Sequence, residues 1–196
     1  MMQTHKTGMY STKNRLMNAM VSLGNQKGFL ETSVTEICEM AEVNRSTFYR
    51  NYESKDSLLR ELEAAYLQAI DLLCQGYHTV NFMDEETVLE NCRSIASKIY
   101  AFHVESKETF RFLMSPNCDP YFRDRLMRLL HFHFTKLICA NMSSPPVAIN
   151  YAIGFISGGI IDCLYQWIQK QDIAEDTFED VVTRLIVSSV QCCLNI

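Results

Sequence analysis

The sequence predicts an all-α protein: an N-terminal three-helix headpiece built around a helix-turn-helix, then a larger helical body, about nine helices in all. Three observations carry this expectation. Apolar residues recur at helical spacing through nearly every segment. Seven glycines and four prolines in 196 residues leave little material for hairpins and sheets. Helix caps and stops, rather than strand-and-turn punctuation, divide the chain. With 47% hydrophobic residues, it can bury a substantial core as one domain or two small ones.

Helix one is expected over about Ser11 to Lys27, with Leu16, Met20 and Leu23 inward and Gly28 as its C-terminal stop. Ser33 and Glu36 have capping-box spacing and open helix two, with Ile37 and Met40 on its apolar face. Ala41, Glu42 and Val43 turn the chain, and Asn44 caps helix three, Arg45 to Asn51. Helix four starts after Ser54 and reaches about Gln75, with Leu58, Leu62, Ala65 and Ala69 recurring as on a rod joining headpiece to body. A looser stretch, Gly76 to Met83, precedes helices of about Glu85 to Ser106 and Glu108 to Met114. Asp119-Pro120 supplies a cap and a first-turn proline for a helix to about Asn141, and Ser144-Pro145 repeats the device for the most apolar helix, to near Gln171. The last helix, about Thr177 to Leu194, has one stripe of Phe178, Val181, Val182, Leu185, Ile186, Ser189, Val190 and Cys193.

Helix three buries little beyond Phe48 and offers Arg45, Ser46, Thr47, Tyr49 and Arg50 outward. A short helix with donors all round and one anchor suits the DNA major groove. The run from Thr47 to Asp56, TFYRNYESKD, with Lys27-Gly28-Phe29 and Ile37 to Ala41 before it, resembles the signature of the TetR family of transcriptional regulators. The resemblance covers about the first third of the chain, several motif positions matching in register. Two positions depart from it. Glu42 stands where the family often has a turn glycine; a left-handed conformation there would strain the chain by roughly 1 kcal/mol. Asn51 stands where a histidine is common, which puts one phosphate contact in doubt. The block from Phe155 to Ile161, with Trp167 beyond it, is more weakly similar to a subgroup that includes activators of dihydroxyacetone kinase operons.

The resemblance implies a helix-turn-helix domain over 9–54 (motif about 33–52) and an effector-binding and dimerisation domain over 55–196. It implies a homodimer on a near-palindromic double-stranded operator, a repressor released by a small apolar or amphipathic molecule. Arg45, Ser46 and Thr47 are expected at base edges. Tyr49, Asn51 and Tyr52 match positions that lie against the phosphate backbone or pack beneath it. Lys55, at the start of helix four, suits a phosphate, and Ser33 can donate to another as well as cap. Phe48 is assigned to a small core with Leu23, Phe29 and Ile37.

The helix after Pro145 is apolar nearly all round, so both faces need cover. Gly154 and Gly158, with Gly159, let another helix approach closely. Simple packing within the domain competes with dimerisation here; the family pairs its last two long helices with their two-fold mates, which places Gly154, Gly158, Ile160, Ile161, Val182, Ile186 and Val190 at the interface. Phe102, His103, Phe110, Phe134 and Trp167 are the candidate pocket, although aromatic stripes at helical spacing are more often core than pocket.

The net charge of −5 divides unevenly. Residues 1–60 hold eight Lys/Arg against six acids, leaving −7 for the remainder, as fits a headpiece held at phosphate and a body kept from it. Eight cysteines without a C-x-x-C pair read as reduced, small hydrophobes, with the adjacent Cys192 and Cys193 as the one pair suited to redox or a soft metal. His131 and His133 differ by two positions and do not share a helix face; zinc held by one of them with His103 is the remote metal reading. No cofactor and no metal are expected. No signal peptide is evident, and Asn150, Ser157, Asp162 and Gln166 interrupt the most apolar segment, so a cytoplasmic protein without a membrane span is expected. An activator answering to a protein partner is the alternative. An enzyme is the remote one, since no phosphate loop, nucleophile elbow or paired-carboxylate motif stands out.

Overall fold

A computed structural model describes residues 12–75, 85–139 and 147–194. Among the described residues there are nine helices and no strand: α1 (Thr12–Lys27), α2 (Val34–Met40), α3 (Arg45–Asn51), α4 (Lys55–Gln75), α5 (Glu85–Glu105), α6 (Lys107–Leu113), α7 (Phe122–Cys139), α8 (Val147–Lys170) and α9 (Glu175–Leu194). The chain divides into two compact units, Met1–Ala64 and Ala65–Ile196, the division falling inside α4. The expected start of helix one at Ser11, the Gly76 to Met83 stretch, the end at Asn141 and the Ser144-Pro145 opening lie outside the described residues.

In the first unit α1 packs on α2 and α2 on α3. Leu16, Met20, Ile37, Phe48 and Leu58 are wholly buried, with Leu23 and Phe29 nearly so. Backbone chemistry fixes the joints. Gly28 (φ 92°) donates to the Gly24 carbonyl at 2.9 Å, ending α1 in the left-handed conformation that glycine takes without strain. At the end of α2, Glu42 donates to Glu39 (3.1 Å) and Val43 to Cys38 (2.9 Å), the paired bonds of a Schellman motif, with Glu42 itself at φ 53°. The turn therefore keeps its left-handed geometry with a side chain present. Ser33 and Glu36 form the reciprocal capping box. Asn44 occupies the cap position of α3 without a side-chain bond, because its backbone carbonyl takes the Thr47 and Phe48 amides at 2.9 and 3.1 Å.

In the second unit α5 lies along α9, α7 along α8, and α8 along α9, with α6 against α8. Helix α7 starts at Phe122 rather than beside Asp119. Pro120 sits in a turn closed by Phe122 donating to the Asp119 carbonyl at 3.2 Å, while the Asp119 carboxylate takes the Tyr121 amide at 2.8 Å and Arg125 at 2.7 Å. The buried stripe of α4 is Leu58, Leu59, Leu62, Tyr66, Ile70 and Cys74; Ala65, expected on it, is exposed. Among the described helices α8 is long and apolar enough to cross a membrane by length and composition. Its Ile149, Ile153, Ile156, Ile160, Ile161 and Leu164 are buried, the pattern of a core helix.

Candidate nucleic-acid interface

Helix α3 stands on one anchor. Phe48 is fully buried, its ring edge-on to Tyr49 at 5.4 Å and tilted against Tyr52 at 5.7 Å. Rotation about the helix then decides the rest: Arg45, Ser46, Tyr49, Arg50 and Asn51 are exposed and Thr47 is half-buried. A helix fixed from below by one aromatic residue thus presents two guanidiniums, hydroxyls and an amide on its free surface. That is the donor set that reads guanine edges and grips phosphate.

Four of the expected DNA-binding residues have partners inside the protein. Tyr52 is buried, ends α3 by donating its amide to Phe48 (2.8 Å), and carries the Lys13 ammonium 5.4 Å above its ring. It packs beneath the surface rather than lying on it. The Asn51 amide donates back to the Thr47 carbonyl at 2.8 Å. The Ser33 hydroxyl gives its proton to Glu36 (2.7 Å) and accepts the Glu36 amide (3.3 Å). Lys27 also donates to Glu36, and these hydrogen bonds pull its carboxyl down to about 2. Lys55 donates at 2.9 Å to each of the Phe29, Leu30 and Thr32 carbonyls, and its ammonium lies 4.6 Å from the Phe29 ring centre. An open groove of about 510 Å³ runs beside it, lined by Ser33, Tyr49, Ser54, Glu31 and Glu53 among others.

The charges of the headpiece follow the same accounting. Lys13 pairs with Glu61 at 2.9 Å, Lys27 with Glu36, and Arg15 reaches the Glu42 carbonyl at 3.5 Å. Among described residues 12–64, Arg45, Arg50 and Arg60 are the cations left without such a partner, and all three are exposed.

In the body the expected pocket residues do not form one group. Phe102, His103 and Phe110 gather with Tyr66 and Phe122, at centroid separations of 4.8 to 6.3 Å among the contacting rings. Trp167 belongs to a second cluster, stacked on Phe178 at 4.7 Å with Tyr100 beside both, and its indole donates to the Ile173 carbonyl at 3.1 Å. Phe134 is buried, and neither cluster's ring contacts include it. Tyr66 was not among the expected residues; its spacing four from Leu62 and four from Ile70 was the available signal. His103 donates from Nδ1 to the Ile99 carbonyl at 2.7 Å, and burial pulls its pKa down to about 4, so it is neutral at pH 7. The Tyr66 hydroxyl is buried without a hydrogen bond of ordinary geometry, and nearby Ser106 gives its proton to the Phe102 carbonyl (2.6 Å). His133 meets Asp71 at 2.9 Å, and no group of three metal-ligating residues occurs among the described residues.

The apolar face of α8 and α9 that stays open differs from the one expected. Ile160, Ile161, Val182 and Ile186 are buried within the protomer. They fill the protomer's own core. Val147, Tyr151 and Phe155 on α8 are 74%, 78% and 77% exposed, and Val181 and Leu185 on α9 are 39% and 55% exposed. Gly154 and Gly159 adjoin this face, and a Cβ built on either would meet nothing within 4 Å; one on Gly158 would touch the Met127 methyl at 3.6 Å. The Val190 side chain lies outside the described residues.

Comparison with known proteins agrees with this geometry. The model of the bacterial regulatory proteins of the tetR family matches residues 16–62, and that of a transcriptional regulator C-terminal region matches residues 90–187. Among solved structures, a TetR transcriptional regulator from Streptococcus agalactiae is 24% identical, with 89% of this chain and 93% of that one covered at a TM-score of 0.56. FadR from Bacillus subtilis, solved with stearoyl-CoA, is 17% identical over 89% of this chain and 97% of its own, with a TM-score of 0.66. The dihydroxyacetone kinase operon activator DhaS is 12% identical over 93% and 97%, with a TM-score of 0.63. No curated protein matches the chain.

Proposed function

The chain belongs to the TetR family of transcriptional regulators, and from that premise we propose that it binds a near-palindromic operator as a two-fold dimer and is a repressor released by a small molecule. The observation that carries the DNA reading is α3 itself: one buried anchor, Phe48, beneath an exposed row of Arg45, Ser46, Tyr49 and Arg50. Arg45 at the front of the helix reaches base edges, and Arg50 and Tyr49 hold the backbone. Two such helices on a two-fold axis enter major grooves about one turn, or a multiple, apart. Dimerisation uses the open face of Tyr151, Phe155, Val181 and Leu185 beside Gly154 and Gly159. Like other DNA-bound regulators of bacteria, the protein works in the cytoplasm.

The effector site is the cluster of Tyr66, Phe102, His103, Phe110 and Phe122. An unbonded Tyr66 hydroxyl and a neutral His103 among rings suit an amphipathic molecule that supplies one polar group and buries the rest. Binding shifts the protein toward a state whose headpieces no longer match two grooves, by as much as the molecule prefers that state. The close packing of these rings favours a second reading, an activator controlled by a protein partner.

Binding to DNA from beside the protein's own gene, against random duplex over a salt series, tests the regulator. Two protomers per site and a preference for that DNA support it. No binding to any DNA at low salt overturns it. Release of bound DNA by a small amphipathic compound, abolished in Tyr66→Phe, separates the repressor from the activator.

A further inference from the structure

We propose that the effector is a small uncharged hydroxyl compound of phenol size, whose ring takes the place of Phe102 and whose hydroxyl bonds both Tyr66 and His103. The inference rests on the effector-site reading above and names the class of molecule that site takes.

Hydrogen-bonding capacity carries the argument. Tyr66 and His103 are 5% and 3% exposed. The Tyr66 hydroxyl has no partner at hydrogen-bonding geometry, and Phe102, Phe110 and Phe122 pack around its ring. The Ser106 hydroxyl, close by but outside that geometry, gives its own proton to the Phe102 carbonyl at 2.6 Å. Burial keeps the phenol of Tyr66 protonated, so it offers a donor to whatever enters. His103 gives its Nδ1 proton to the Ile99 carbonyl and is neutral, which leaves Nε2 with a lone pair. A donor on one ring and an acceptor on the next suit one group that does both at a single atom, a hydroxyl.

The same surroundings disfavour charge. A carboxylate beside His103 would face a lone pair, and Nε2 takes up a proton only near pH 4. The Arg125 guanidinium lies 6.0 Å from the Phe122 ring centre, but Asp119 already holds it at 2.7 Å. An ammonium would lose its water to five side chains with no carboxylate among them. Size follows from Phe102. It is the one half-buried member of the five, and its ring lies 5.1 Å from that of Tyr66 and 5.6 Å from that of His103. A ligand ring that displaces it toward solvent lies against both polar side chains, one ring for another, without a preformed cavity.

Calorimetric titration of the full-length protein at pH 7 with phenol, anisole, toluene and benzoate tests this, with the His103 ring resonances followed by NMR. Phenol should bind at least tenfold more tightly than anisole or toluene, and benzoate should not bind. Tyr66→Phe should weaken phenol about tenfold and leave toluene unchanged. Anisole or benzoate binding as tightly as phenol overturns the proposal. If the probes shift the His103 resonances without that preference, the class of molecule is wrong and the site stands. If none shifts them, site and class fall together. Should Tyr66→Phe not fold, the Nε2 resonance of wild-type His103 decides. Phenol should move it upfield, as a lone pair accepting a hydrogen bond does, and the same shift with anisole refutes the bridging hydroxyl.

Discussion

Replacing Phe155 with alanine tests where two copies of this chain meet. The side chain is 77% exposed on α8, beside Tyr151 at 78%, so the isolated protomer gains nothing from it that alanine would lose. Alanine is also the better helix former. Burying a phenylalanine side chain contributes about 1.5–3 kcal/mol, and a two-fold interface buries it twice. Phe155→Ala should therefore weaken the dimer by about 3–6 kcal/mol, a rise of roughly 10²–10⁴ in its dissociation constant. Sedimentation equilibrium over a concentration series reads this directly. Melting at low protein concentration, where the protomer dominates, should stay unchanged. Ile160→Ala must behave oppositely, because Ile160 is 8% exposed and fills the protomer core. It should lower stability at every concentration, by about 2–5 kcal/mol. Gly159→Ala sharpens the contrast: its Cβ meets nothing in the protomer, so helix propensity alone raises protomer stability by up to about 1 kcal/mol while the dimer weakens. An unchanged dimer constant in Phe155→Ala would refute the placement of the interface.

Arg45→Ala should relax preference at one operator position, by on the order of 1–3 kcal/mol, and equal losses on operator and random duplex would remove it from the base edges. If α3 supplies the cationic phosphate contacts, Arg50 on two headpieces gives two charges and a salt slope of about −1.8, measured by titration; a much steeper slope would mean that paired lysines are released to phosphate. The His103 imidazole has its pKa lowered from 6.5 to about 4, so the unfolded chain takes up the proton first as pH falls. Stability is thus complete above about pH 6.5 and falls by roughly 3 kcal/mol on the way to pH 4. Urea unfolding of wild type and His103→Phe at pH 7 and 4.5 checks this, and parallel pH dependence would refute it.

The headpiece was legible because its signals are local. A capping box, a glycine stop and one aromatic anchor specify α1 to α3 within a few residues each, and the structure reproduces them, including a left-handed Glu42. The misread elements needed knowledge of neighbours. Asp119-Pro120 has the dipeptide of a helix start, yet the proline is used in a turn before α7. Whether a side chain is available is equally non-local: Lys55 looks like a free cation until the loop 26 residues upstream is folded beneath it.

Helix α8 shows why some of this information is not in the pattern at all. Periodicity locates an inward face by contrast with a polar one, and a helix apolar on every side offers no contrast. Ile160 and Phe155 are equivalent hydrophobes in sequence. In the fold one is in the core and the other is in solvent, and only the positions of α7 and α9 distinguish them. The glycines do carry a usable asymmetry, though it appears only in three dimensions. A glycine in mid-helix lowers helix stability, and within a protomer that is offset only where a neighbour needs the missing Cβ volume. At Gly158 a Cβ would make an ordinary contact with the Met127 methyl at 3.6 Å; at Gly154 and Gly159 it would meet nothing within 4 Å. The dimer proposed above would offset those two, which share a side of α8 with Tyr151 and Phe155. A second α8 crossing there fits both the empty volume and the exposed rings.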